Sequence, residues 1–222
     1  MAAGHSGSPA KQFLTLAGLP ILIHSLRAFA AVPRVTGIHV AVRHSEIERV
    51  QQQIAEHRLS ARATVVEGGD TRQETVSRAL AGLKCGEDDV VLVHDAVRPL
   101  IDSVTIERVI DAVIEQGAAI VGLPAIDTIK QVERTAHGAI ISSTIPRERI
   151  VQAQTPQGFR YGLLQRAFAE AQADGFSGTD EASVVERAGV QVAVVAGSAR
   201  NFKITQPGDL ELAEFYMAQG KD

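Results

Sequence analysis

Four cations, Lys11, Arg72, Arg98 and Lys203, stand in predicted loops or at predicted strand ends, together with Gly69, Asp70, Asp95, Asp127 and Thr128. If the strands run parallel, the four cations converge on one rim. Such a rim suits phosphates, whose charge has to be neutralised, and glycine-bearing backbone can turn its N–H groups towards oxygen anions. Each cation alone reads equally well as a solvated surface charge, and Asp127-Thr128 as a plain turn. It is the set that points to phosphate chemistry.

The element that must position this set is the stretch D-D-V-V-L-V-H-D-A-V-R-P-L, Asp88 to Leu100. Its apolar run, Val90 to Val93, reads as a strand covered on both faces in the middle of a parallel sheet. Asp95 and Arg98 follow at its carboxyl end, where open α/β sheets bind ligands. The bland alternative is a local ion pair on a surface loop.

Around that strand the chain alternates. A loop from Met1 to Lys11 leads to a helix from Ile21 that Pro33 stops; Gly37 to Val42 reads as a strand, and Ser45 as the N-cap of a helix to about His57. Thr64 to Glu67 is a strand ending in the turn Gly68-Gly69-Asp70-Thr71-Arg72, with a helix after it. A helix from Ser103 to Gln116 and a strand from Ala118 to Leu123 follow the central strand. This rhythm predicts βαβ units and an α/β, Rossmann-like fold with a mainly parallel sheet. Between Thr128 and Gln154 the rhythm breaks, and two alternating segments around His137-Gly138 read as a β-hairpin. A hairpin there has no place inside a doubly wound sheet, so residues 129–154 are expected to project as an arm and pack against a second copy of the chain. Helices from Gly162 to Asp174 and after Thr179 or Asp180 follow, then strands at Val190 to Val195 and Phe202 to Thr205, and a helix from Pro207 to about Ala218. No linker or repeat is visible, so residues 1–222 read as one domain with an arm.

Composition narrows the class. With 45% hydrophobic and 22% charged residues, the chain is of the ordinary globular type. A net charge of -4 gives no reason to expect nucleic acid as a partner. One cysteine, Cys85, excludes an intrachain disulfide framework and a multi-cysteine zinc site. No run approaches a membrane span, and Met1 to Pro9 lacks the features of a signal peptide, so a cytoplasmic location is expected.

Eight motifs occur in a fixed order: A-A-G at Ala2, P-x-K-Q-F-L-x-L-x-G-x-P-I-L, G-G-D-x-R-x-x-T-V, V-L-V-H-D-A-V-R-P-L, D-T-I-K, T-P-Q-G-F, T-D-E-A-S and N-F-K-I-T-x-P-x-D-L. From Lys11 to the C-terminus the sequence resembles the 2-C-methyl-D-erythritol 4-phosphate cytidylyltransferase family. The resemblance implies transfer of a cytidylyl group from CTP to methylerythritol phosphate with release of pyrophosphate, in non-mevalonate isoprenoid synthesis. It implies a Mg²⁺ held mainly by the CTP phosphates, with no metal ligand among the side chains. It also implies that Lys11 stabilises the transferring phosphorus, and that Ala3, Gly4, Gly69, Asp70 and Thr75 hold the nucleotide. Asp95, Arg98, Thr179 and Lys203 would line the substrate side, with Lys203 positioning the attacking phosphate. Thr128, Arg147 and Thr155 would complete the pocket of a homodimer partner across the arm. A phosphate nucleophile is already ionised at pH 7, so a structural His94 is favoured over a general base. His137 reads as an exposed turn residue.

The family usually begins with a buried strand running into A-A-G-x-G-x-R. Here Ala3-Gly4 runs through His5, Ser6, Gly7, Ser8, Pro9 and Ala10 to Lys11, without that strand and without the loop arginine. The expectation is a weak or silent catalyst whose first ten residues are poorly ordered. A sister activity on ribitol 5-phosphate and a silent, dimer-forming nucleotide binder stay open as alternatives. D-T-I-K and T-D-E-A-S favour the methylerythritol substrate.

Overall fold

The computed structural model describes residues 10–219. Ala3, Gly4 and the expectation about the opening segment therefore lie outside the described residues. Lys11–Phe13 form a 3-10 turn, followed by a tight hairpin of β1 (Thr15–Leu16) and β2 (Leu19–Pro20) that the sequence reading missed. Ala17 and Gly18 turn it with positive φ values of 46° and 84°. Helix α1 (Ile21–Ala30) buries Ile21, Leu22, Ile23, Leu26 and Phe29. Strand β3 (Ile38–Val42) follows, then a 3-10 turn (His44–Glu46) and α2 (Ile47–Glu56), whose N-cap is Glu46 without a side-chain bond rather than Ser45. Next come β4 (Ala63–Glu67), α3 (Arg72–Ala81), β5 (Val90–Val93), α4 (Ser103–Gln116) and β6 (Ala118–Pro124). Asp102 caps α4 by accepting from Thr105 N, and Gly117 ends it at φ 86°.

Strands β7 (Ile129–Thr135) and β8 (Gly138–Ile145) form the expected hairpin. The arm is shorter than its sequence boundary, because Val151 to Gln154 already belong to β9 (Val151–Arg160). α5 (Tyr161–Ala173), α6 (Glu181–Arg187), β10 (Ala193–Ala196) and α7 (Pro207–Gln219) complete the order. Phe202 to Thr205, expected as a strand, is irregular.

The sheet is mixed rather than mainly parallel. β9 returns from the arm and inserts between β5 and β6, antiparallel to both, in the order β10-β6-β9-β5. Among the described residues, only β10 with β6 and β3 with β4 pair in parallel. Packing explains why β9 can enter: a Cβ at Gly158 would meet Leu92, Val113 and Val109 at 2.8–2.9 Å, so only glycine lets α4 lie against the strands. The pairing of β6 jumps from Ile120↔Gln157 to Val121↔Gln154, leaving Thr155 and Pro156 in a bulge.

Among the described residues, β3 and β4 form a separate two-stranded sheet, and β5 pairs on one side only. Among the described residues the strand expected at the centre of a parallel sheet therefore ends its sheet, and Val90 to Val93 are half-buried. A cavity of about 240 Å³ lies between Val40, Ala41 and Val42 on one side and Asp95, Ala96 and Val97 on the other. No helix among the described residues is long and apolar enough to cross a membrane.

Candidate active site

The glycine turn after β4 is closed by its own helix. Gly69 N donates to Thr75 Oγ1 at 3.0 Å, and that hydroxyl donates back to Gly69 O at 3.2 Å. Asp70 N donates to Glu74 Oε2 at 2.9 Å, while Thr71 caps α3 by accepting from Glu74 N at 3.1 Å. A Cβ on Gly69 would lie 2.6 Å or less from the Cβ, Cγ and Cδ of Glu74, so the tight closure requires glycine. Of the predicted nucleotide residues, Gly69 and Asp70 form the turn and Thr75 fixes its shape.

The second component follows β5. Arg98 N donates to Asp95 O at 3.0 Å, which folds the chain back and sets both side chains on one side. The Asp95 carboxylate lies 3.0 Å from Lys203 Nζ, 3.6 Å from Arg98 Nε and 3.7 Å from Arg72 Nη2. Three residues far apart in sequence thus meet on one carboxylate. Arg72 also grips Glu181 with both Nη atoms, at 2.5 and 2.8 Å, and Glu181 is only 1% exposed. The bidentate fork is the geometry that makes guanidinium–carboxylate pairs specific. Through it the glycine turn is tied to the start of α6, where Asp180 caps the helix and accepts from Gln157 Nε2 at 2.8 Å.

Lys203 is delivered by an irregular segment held from both sides. Ile204 N donates to Val97 O at 2.9 Å, and Arg98 Nη1 donates to Asn201 O at 2.8 Å. The amide of Asn201, 2% exposed, donates to Thr155 O at 2.8 Å and to Gln154 Oε1 at 3.2 Å. Lys11 reaches the same segment from the N-terminal side, donating from Nζ to Thr205 O at 2.5 Å.

The electrostatics follow from these contacts. Burial opposes ionisation of Asp95, but Lys203, Arg72 and Arg98 outweigh it and hold the carboxyl below the ordinary aspartate value. Burial pulls the Arg98 guanidinium down, with Asp95 working against it. Three cations ring the Asp95 carboxylate, and a positive rim of this kind suits an incoming phosphate. Both carboxylates, Asp95 and Glu181, are already occupied by cations, and no group of three metal-ligating side chains lies together among the described residues.

The expected residues do not all meet. Lys203, Asp95 and Arg98 share the cluster, Lys11 contacts the segment that carries Lys203, and Thr179 is exposed just ahead of α6. Thr155 is 4% exposed and accepts from Asp95 N at 3.0 Å within its own chain. Thr128 and Arg147 sit at the foot of the arm, where Arg147 Nη1 donates to Ile126 O at 2.6 Å. No hydrogen bond or ion pair among the described residues joins either to the Asp95 cluster. Glu181, which from sequence reads only as a first-turn carboxylate suited to the helix dipole, and Asn201 were not among the expected site residues, although both lie within quoted motifs, T-D-E-A-S and N-F-K-I-T.

Comparison with known proteins supplies a further finding. The family model described as 2-C-methyl-D-erythritol 4-phosphate cytidylyltransferase matches residues 2–219. A protein of that name from Acidobacterium capsulatum is 68% identical over 220 residues, covering 99% of this chain and 92% of that protein. One from Solibacter usitatus is 50% identical, covering 98% and 88%. The crystal structure of the Thermus thermophilus protein of that name superposes with a TM-score of 0.77 at 35% identity, covering 94% of both chains.

Proposed function

The chain belongs to the 2-C-methyl-D-erythritol 4-phosphate cytidylyltransferase family, and from that premise we propose how its residues divide the reaction. The protein is a nucleotidyltransferase that moves a cytidylyl group from CTP to methylerythritol phosphate in isoprenoid synthesis. An oxygen of the sugar phosphate bonds to the α-phosphorus of CTP, the bond from that phosphorus to the bridging oxygen breaks, and pyrophosphate leaves. No proton has to move, because the attacking phosphate is ionised at neutral pH.

The work of the side chains is therefore positioning and charge stabilisation. Gly69 and Asp70 hold the nucleotide, with Thr75 shaping the turn. Lys203 and Arg98 take the attacking phosphate, and Asp95 and Thr179 face the sugar. Lys11 stabilises charge that builds on the transferring phosphorus. Mg²⁺, carried by the triphosphate, would neutralise part of the charge that two anions bring together.

The single observation that carries this reading is the meeting of Lys203, Arg98 and Arg72 on Asp95, beside a turn closed by glycine. Residues 1–222 form one nucleotidyltransferase domain of a cytoplasmic homodimer. The supporting observation for the dimer is the arm, on which Val132, Ile140 and Ile141 are 46%, 65% and 59% exposed. Burying them against a second copy would carry Thr128 and Arg147 to the partner's sugar-phosphate site.

The test is pyrophosphate release from CTP, followed with methylerythritol phosphate and separately with ribitol 5-phosphate. Release with the first alone supports the reading. Preference for ribitol phosphate reassigns the substrate, and release with neither makes the chain a silent relative.

A further inference from the structure

The ring of His94 stands between the turn that carries Asp95 and Arg98 and the Thr155 bulge of β9. Its Nε2 lies 3.1 Å from Arg98 O, and a carbonyl only accepts, so Nε2 carries the proton and donates. Nδ1 is then an acceptor, and it lies 3.1 Å from Thr155 Oγ1. The hydroxyl proton of Thr155 goes to that nitrogen, while its oxygen accepts the Asp95 N–H. One chain of bonds thus runs from Asp95 N through Thr155 and His94 to Arg98 O. The ring also packs on Phe29 in a tilted arrangement, with centroids 4.9 Å apart and an interplanar angle of 54°.

We propose that His94 is a positioning residue for the sugar phosphate, in one tautomer, clamping the Asp95–Arg98 turn to the Thr155 bulge and so setting the cations around Asp95. The proposal rests on the cytidylyltransferase reading of the site. It places Thr155 in its own chain's clamp, since the proton of its hydroxyl is committed to His94. Desolvation pushes the imidazole down to about 4, with the Arg98 carbonyl and Asp95 working against the shift, so the ring is neutral throughout the working range. An imidazolium would need a second acceptor at Nδ1, and Thr155 would have to give up its present bond.

Two measurements test this. In steady-state kinetics of the full chain, His94→Phe keeps an aromatic ring on Phe29 but loses both nitrogens. It should raise the KM for methylerythritol phosphate on the order of tenfold and leave that for CTP within about twofold, because a small misplacement acts locally. His94→Gln, which supplies one donor and one acceptor, should recover part of the loss. Where His94→Phe does not fold, Thr155→Val should give the same split and Thr155→Ser should reverse it. Equal changes in both KM values, or Thr155→Ser no better than Thr155→Val, would overturn the proposal. Imidazole ¹⁵N spectra read the ring without any turnover: a protonated Nε2, a bare Nδ1 and no titration between pH 5 and 8 are expected. A proton on Nδ1 or a midpoint near 6.5 sinks the clamp. If the unmodified chain turns over neither alditol phosphate, the functional reading fails while the spectra still decide His94.

Discussion

Lys203 Nζ lies 3.0 Å from Asp95 Oδ2, so the ammonium assigned to the attacking phosphate is held by a carboxylate until that phosphate displaces it. Lys11 instead rests on a backbone carbonyl, Thr205 O. The two lysines should therefore fail differently. Lys203→Ala is expected to raise the KM for methylerythritol phosphate and to lower kcat. Lys11→Ala should mainly lower kcat, by about 10²- to 10³-fold, as loss of one preorganised donor does. Steady-state kinetics of both variants check this; equal and small effects would remove the distinction.

Arg147 belongs to the neighbour's site on the proposed dimer, whereas Lys203 belongs to its own. Mixing Arg147→Ala chains with Lys203→Ala chains should then regenerate one intact site per heterodimer. Activity should recover towards half of the unmodified level per heterodimer, the homodimers in the mixture staying inactive. A mixture as inactive as its components would place Arg147 in cis or outside the site.

Asp95 ionises more readily in the folded protein than in the unfolded chain. Between those two values the unfolded chain binds more protons, so stability rises with pH in that window and is lost as pH falls below the ordinary aspartate value of about 4. Asp95→Asn should flatten this acid limb while lowering stability at neutral pH, where the cations lose their partner. Urea midpoints for both proteins from pH 3 to 6 read the difference. An unchanged slope would show that Asp95 does not carry the acid sensitivity.

The helices were legible wherever local chemistry punctuates them: α4 has Asp102 before it and Gly117 after it, and α7 opens on Pro207. β9 was not legible. Thr155-Pro156-Gln157-Gly158 has turn composition, yet the proline sits in a bulge where a missing N–H is tolerated, and the glycine marks the close approach of α4. Missing that strand is what left the sheet looking mainly parallel, whereas Val90–Val93 looked central because their apolar run is uninterrupted. In the site, Lys203, Asp95 and Arg98 could be found as charges at strand ends. Arg72 read as one more rim cation, because its partner Glu181 lies 109 positions away and no local pattern predicts a buried fork across that separation. The role of Asn201 was hidden for the same reason, its partners being Gln154 and Thr155.

Strand β9 begins at Val151, at the foot of the arm, and runs through the Thr155-Pro156 bulge into the centre of the four-stranded sheet. Thr155 is only four residues along it, and the next bonds reach Asp95 and His94. The hairpin reaches that strand through one short 3-10 turn, Arg147–Arg149, so the arm and the Asp95 cluster are two ends of a single lever with only five residues of hinge between β8 and β9.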